Sequence, residues 1–493
     1  MKWLKIFILL TILFIFFYSR IAPIVNQTVP YTYDQGRDFL RAEEILREKK
    51  LVFLGPTTGI MGVYHGVWWY YLLAAFYLIF NGMPSGFYIG LFILSSAAIF
   101  LFAYFIHKKF DFFSLIFFLI IVSASEFFVR LAFFVSNNTI APLFVLLYLF
   151  ALYKYTVEGK KFYLLLIGLA LGFIFEFEVA FGIFFITSFI LASIFFSKFR
   201  NIFTKIDSLK LILTGIVIPT LPRILFELKN NFIQTNSLLS FFKDPTSTNK
   251  ISYKTAFLER VNLFFNYFVK MFPSELLILA IITILLLCLF IIKGQKEIFS
   301  KKSSLIYFLS FQTLLLFFLS TLNNSNFFWD YYLDGIQFIL LFLIILIFSL
   351  NESYSFLIIK LFFISVFFIT NILSFLPQLK KTEIPQLGLR ADIKTVRYLL
   401  DNNKKQFCMR VYTPPIFPYT YQYLLGYFSK IENRMYPVDK YVDNKCWYIV
   451  DKENYPERVV KWREINTPKN AKLTKTKKMS NGTNIELWQI PQN

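Results

Sequence analysis

The feature that most limits what this chain can become is a succession of apolar runs, each about as long as a bilayer is thick. They lie near residues 3–20, 86–106, 112–131, 139–156, 162–178, 179–197, 209–227, 275–293, 303–322, 334–350 and 355–376. A helix rises about 1.5 Å per residue, so crossing a hydrocarbon core of about 30 Å takes about 20 such residues. With 57% hydrophobic and 16% charged residues and a mean hydropathy of +0.57, the chain does not match a soluble enzyme, in which about a quarter of residues are charged. The expected fold class is an α-helical polytopic membrane protein with about eleven transmembrane helices.

Loop charge sets the expected sidedness. The stretch from Gly66 to Phe80 is short for a span and rich in Trp and Tyr, as interfacial segments are. If it only lies along the membrane, Lys2, Lys5, Lys108, Lys109, Lys160, Lys161, Lys198, Arg200, Lys205, Lys210, Lys293, Lys296, Lys301 and Lys302 all face the cytoplasm. The loops near 136–139, 176–178 and 321–329 carry no Lys or Arg and face outward, as the positive-inside rule requires. The first run has a basic start but only Ser19-Arg20-Ile21 after it, so it reads as an uncleaved anchor with the amino end inside. Basic residues in loops and tail give the net charge of +21, which points to lipid head groups and anionic substrates and not to nucleic acid.

On this topology residues 1–376 form the transmembrane domain, with outer loops at 21–85 and 227–274. Residues 377–493 form a separate extracytoplasmic domain holding 21 Lys and Arg against 11 Asp and Glu. Its pattern predicts helices over 393–402, 419–428 and 457–465, strands over 407–412 and 446–451, and a hairpin turning at Asn481-Gly482, hence a small α/β unit. Cys408 and Cys446 both fall in it, and a disulfide between them is open in an oxidising compartment.

Chemistry concentrates at the outer ends of the spans. Just past the first span, Tyr33-Asp34-Gln35-Gly36-Arg37-Asp38 opens an amphipathic pattern with Phe39, Leu40, Ala42, Ile45 and Leu46 on its apolar side, a helix lying on the membrane surface. Asp34 is read in two ways, as a helix cap or as a carboxylate base. Other polar groups at this level are His65, Arg130, Asn137, Asn138, Glu176, Glu178, Arg223, Tyr331, Tyr332 and Asp334. Arg130 lies inside a span, where a lone cation needs an anion, and a lipid phosphate supplies one. For the Glu pair a helix-end role stands beside a substrate role. For His65, Trp68, Trp69, Tyr331 and Tyr332, interfacial anchoring stands beside ligand contact.

A cytoplasmic amino end, one span, an outer loop with an acid just past it, a surface helix, an aromatic segment and then a bundle resemble the GT-C membrane glycosyltransferases, in particular their protein O-mannosyltransferase and aminoarabinose-transferase branch. The residues that carry the resemblance are Tyr33 to Asp38, Leu54-Gly55-Pro56, Tyr64-His65-Gly66-Val67-Trp68-Trp69-Tyr70-Tyr71, Arg130 and Asn137. It implies transfer of a sugar from a polyprenyl-phosphate carrier to an acceptor hydroxyl of a lipid, glycan or protein at the outer face of the cell membrane. Asp34 would be the catalytic base, with Arg37, Asp38, His65, Arg130, Asn137, Glu178, Arg223, Tyr331 and Tyr332 as substrate-binding residues. The chain departs from the family pattern in carrying Gln35, Asn137 and Asn138 where relatives place acids, so neither a metal nor a cofactor is expected. Two rivals stay open: a lipid transporter or flippase, and an inactive relative that scaffolds an envelope complex. Clustering of the polar groups at one face weighs against transport. Reporter fusions after Lys109 and at Asn493 are expected to read inside and outside respectively; both on one side would overturn the topology.

Overall fold

The structure is a computed structural model that describes residues 2–243, 251–271, 301–323, 328–349, 388–414 and 417–491, with scattered positions between 358 and 373. The span expected at 275–293 lies outside the described residues, as does most of that at 355–376. Five described stretches are long and apolar enough to cross a membrane: Trp3–Val25 in helix α1 (Lys2–Val25), α4 (Pro84–Lys109), Asn137–Glu158 containing α7 (Ala141–Glu158), α11 (Ile206–Lys229) and Ser303–Leu322 in α14 (Lys301–Leu322). Shorter apolar helices α3 (Trp68–Ile79), α5 (Phe112–Ala124), α8 (Phe162–Phe177) and α15 (Ile336–Phe348) pack among them. The protein is a multi-pass membrane protein. Its aliphatic and Phe side chains form one continuous buried cluster through the bundle.

One expected span is interrupted and another ends in a bend. The run over 112–131 ends as a helix at Ala124, because Ser125 is extended (φ −67°, ψ 131°), and restarts as the short α6 (Glu126–Arg130). The carbonyls freed at this break need donors that lipid cannot offer. Arg20, fully buried on α1, provides them: its guanidinium donates to the carbonyls of Phe16, Val122, Ser123 and Phe128 and packs over the Phe16 ring. Likewise α9 (Val179–Phe195) turns by 108° into α10 (Ser197–Thr204).

Beyond α1 the chain forms α2 (Tyr33–Glu48) and a hairpin of β1 (Leu54–Thr57) with β2 (Tyr64–Gly66), where a turn alone was expected. Thr32, not Asp34, is the N-cap of α2, and its backbone N–H donates to the Gln35 side chain at 2.8 Å. Gln35 is therefore used as the returning member of a capping box. Lys49, in the left-handed region at φ 50°, closes the other end. Gly36, Phe39, Ala42 and Ile45 form the buried face, with Phe39 stacked on Phe87 of α4 at 3.8 Å between ring centroids.

The C-terminal domain comprises α16 (Leu389–Asn402), β3 (Met409–Tyr412), α17 (Tyr419–Ile431), β4 (Lys445–Val450), α18 (Pro456–Asn466), β5 (Lys472–Lys478) and β6 (Asn484–Gln489). The sheet order is β3-β4-β6-β5, parallel between β3 and β4 and antiparallel elsewhere, and a Cys408–Cys446 disulfide joins β4 to the residue before β3. The domain docks on α2. Tyr423 meets Phe39 at 5.3 Å and donates to the Gly82 carbonyl, Tyr31 donates to the Thr420 carbonyl, and the backbone N–H groups of Leu389 and Arg390 bond back to Val29 and Gln27. At the closest approach, a Cβ on Gly36 would lie 2.5 Å from the Thr420 nitrogen. Gly36→Ala is thus expected to destabilise by about 1–3 kcal/mol through overpacking and to speed proteolytic release of the tail. Gly426→Ala on α17, where nothing lies within 4 Å of the added Cβ, is expected to stabilise by up to about 1 kcal/mol through helix propensity. Melting of the two variants in one detergent distinguishes the packing effect from propensity, since propensity alone moves both upward.

Candidate active site

A cavity of about 640 Å³ opens at the end of the bundle that carries α2 and the C-terminal domain. Its wall draws on separate elements: Asp34 and Arg37 from α2, Thr57 to Ile60 and His65 from the hairpin, Arg130 from α6 and Asn137 and Asn138 from a 3₁₀ turn. Glu178 comes from the α8–α9 junction, Leu238 and Phe241 from α12 (Ile233–Lys243), and Asp330, Tyr331 and Tyr332 from the turn before α15. Most of the residues picked from the sequence therefore converge. Asp38 and Arg223 are not in the wall and act behind it.

On α2, first-turn placement brings Asp34 and Arg37, three residues apart, onto one side. Arg37 Nη1 lies 2.8 Å from Asp34 Oδ1, and Nη2 lies 2.9 Å from Asp38 Oδ1. Asp38 is buried and also accepts from the Trp69 indole at 2.8 Å. Burial outweighs the attraction of Arg37 and holds the Asp38 carboxyl above its usual range, at about 6, which leaves it ionised at neutral pH. Arg37 is thus committed to two carboxylates. Asp34 keeps 67% of its side chain exposed towards the cavity, with only one oxygen in the ion pair.

Arg130, on α6 past the break at Ser125, stands in the cavity wall with 41% of its side chain exposed, where a position inside a span was expected. Its nearest acid is Asp334, 3.7 Å away, which in turn accepts from Gln337 at 3.2 Å. At that separation most of the five guanidinium donors are uncommitted among the described residues. Glu178 is buried at the amino end of α9. Asn137 is turned to the bundle: its amide donates to the Phe177 carbonyl at 2.8 Å and pins the junction that presents Glu178.

Behind the wall, Arg223 on α11 pairs with Glu176 at 2.7 Å and donates to the Tyr64 carbonyl and Gln234, clamping α8, α11, α12 and the hairpin. A side chain at position 66 would collide with Glu176, since a Cβ there would lie 1.9 Å from Oε2, so glycine is required beside the clamp. His65 is buried next to it. Burial first, then the cations of Arg223 and Arg37, push its imidazole down to about 3, and it is neutral at physiological pH. His65 Nδ1 and Asn138 Oδ1 are buried without hydrogen-bond partners among the described residues, and both residues line the cavity. Burial pushes the Tyr332 phenol up to about 12 and raises Tyr331 as well, so both act as O–H donors. Sequence reasoning missed the hairpin loop at Thr57 and Thr58 and the apolar pair Leu238 and Phe241; the i, i+3 spacing of that pair in a polar loop is the signal that was there to find.

No protein-family profile and no curated protein matches the chain. Among solved structures, ArnT from Cupriavidus metallidurans is similar over 99% of this chain and 98% of its own. The crystal structure bound to undecaprenyl phosphate gives a TM-score of 0.57 at 10% identity, and that of the apo state 0.61 at 9%. The chain has a GT-C-like fold. At this identity the similarity is one of fold, and the GT-C-like architecture extends through the C-terminal domain as well as the bundle.

The depressed His65 pKa has a definite sign. The folded state refuses a proton that the unfolded chain accepts near pH 6.5, so His65 stabilises fully above that pH and progressively less as pH falls towards 3. Between pH 7 and 5 the loss is about 2 kcal/mol. Asp38, with its pKa raised, works in the opposite sense over the same interval. Comparison with His65→Gln isolates the histidine: the melting temperature of the parent is expected to fall further than that of the variant between pH 7 and 5, and parallel profiles would refute the assignment.

Proposed function

We propose that the protein transfers a sugar from a polyprenyl-phosphate carrier to an acceptor hydroxyl, with inversion at the anomeric carbon, Asp34 as general base and Arg130 holding the carrier phosphate. The observation that carries this reading is the convergence of an exposed carboxylate and an under-used guanidinium, from α2 and α6, on one cavity large enough for a sugar. ArnT bound to undecaprenyl phosphate, which shares the fold, supports the class of carrier.

In this mechanism the acceptor oxygen attacks the anomeric carbon from the Asp34 side while its proton passes to the free carboxylate oxygen. The bond from the anomeric carbon to the phosphate oxygen breaks, and the electron pair leaves with the phosphate. Arg130 meets the charge that develops there with N–H donors already in place, so little reorganisation is needed as the bond breaks. Arg37 orients the base, with Asp38 and Trp69 holding Arg37 in turn. The neutral His65 and Asn138, each with an unpaired polar atom, suit the hydroxyls of a sugar, and Tyr331 and Tyr332 add donors and ring faces. On the sidedness read from loop charge, the cavity faces the outside of the cell membrane.

Turnover of labelled polyprenyl-phosphate sugar by membranes carrying the full chain tests this. Asp34→Asn is expected to lower transfer by about 10²- to 10⁴-fold while leaving donor binding intact. Arg130→Ala is expected to weaken binding of the carrier phosphate as well as turnover. Full transfer by Asp34→Asn would remove the mechanism.

A further inference from the structure

A second cavity, of about 680 Å³, runs between α4 and α7 from Leu143 to the lysines at the opposite end of the bundle, with Tyr163 of α8 in its wall. The 26 residues of α4 put its Lys109 end about 39 Å along the axis from the catalytic end. The walls are apolar, formed by Leu101, Phe102, Phe105, Leu146 and Phe150, and three ammonium groups converge on the rim: Lys108, Lys109 and Lys154. One carboxylate answers them. Glu158 lies 2.5 Å from Lys154 and 3.7 Å from Lys109, while Lys108 faces the Tyr104 ring at 5.4 Å and makes no ion pair among the described residues.

Lysines at helix ends ordinarily snorkel to the head groups singly. Here they share the mouth of a concave apolar cleft and leave the rim two charges positive, which is the complement of a head group with a net negative phosphate above acyl chains. We propose that this groove is a binding site for an anionic phospholipid, its acyl chains in the cleft between α4 and α7 and its phosphate on Lys108, Lys109 and Lys154. A zwitterionic lipid brings its own cation to an already cationic rim and fits less well. The groove shares Ala98, Leu143 and Leu147 with a neighbouring apolar cleft that runs towards Trp68, which makes the polyprenyl chain the competing occupant. The proposal does not rest on the catalytic reading, since it concerns the other end of the bundle and is read out by binding alone.

The full chain, reconstituted with phosphatidylcholine, is titrated with phosphatidylglycerol, and retained lipid is measured by native mass spectrometry. Each lysine contributes about fivefold in affinity for an anionic head group. Replacing all three lysines with glutamine should therefore weaken retention on the order of a hundredfold, and replacing all three with arginine should preserve it. Glu158→Gln frees Lys109 and Lys154 and should tighten retention about fivefold, a gain that misfolding cannot imitate. High salt should weaken retention by the parent and should not weaken retention by the triple glutamine variant. Equal retention of the two phospholipids, an unaltered triple glutamine variant, no tightening by Glu158→Gln, or displacement of phosphatidylglycerol by equimolar polyprenyl phosphate would each overturn the proposal.

Discussion

Backbone carbonyls exposed where a helix stops inside a membrane have to find donors within the protein, and in this structure one guanidinium meets that need. Arg20 spans the gap between the end of α5 and the start of α6, taking carbonyls from both sides of the break. Without it a straight α5 would be the cheaper solution, because each unmet polar group in lipid costs several kcal/mol. Arg130 lies on α6, just past this break, in the cavity wall. A buried cation with no carboxylate partner among the described residues, wasteful as an ion, is thus explained as a multiple hydrogen-bond donor at the break.

The electrostatics of the cavity follow from how completely each charge is already used. Arg37 and Arg223 are spent on carboxylates of the protein itself, one holding α2 in order and the other locking the hairpin to α8 and α11. Asp34 and Arg130 both keep spare bonding capacity, and they stand on different elements. Such division lets the fold remain rigid around a space where a charged ligand can still find partners.

Much of this was legible in the sequence because hydropathy and alternation are strong signals. The apolar runs, the α2 amphipathic face at Phe39, Ala42 and Ile45, and the helix and strand succession of the tail all follow directly from spacing. Convergence of Asp34, His65, Arg130, Glu178 and Tyr331 on one cavity was implied by their common level in the membrane. What spacing cannot carry is a break without a breaker: no proline marks Ser125, and the donor that permits the break lies about a hundred residues away on α1. The cap of α2 was left open by the sequence for a related reason. Asp34, Thr32 and Gln35 are all plausible at a helix start, and only the geometry of the turn selects Thr32 with Gln35 and leaves Asp34 free. Arg223 illustrates the opposite limit, since its partner Glu176 lies on another helix and a charge bound in this way looks in sequence like a charge awaiting a ligand.

The missing side chain at Gly36 has a mechanical consequence. At Gly36 backbone lies directly against backbone, so at this point no side chain separates the extracytoplasmic lobe expected from the sequence from the helix that bears Asp34. The placement of α2 is therefore tied to α17 at that point, which makes the carboxylate's aim a property of both parts of the chain together.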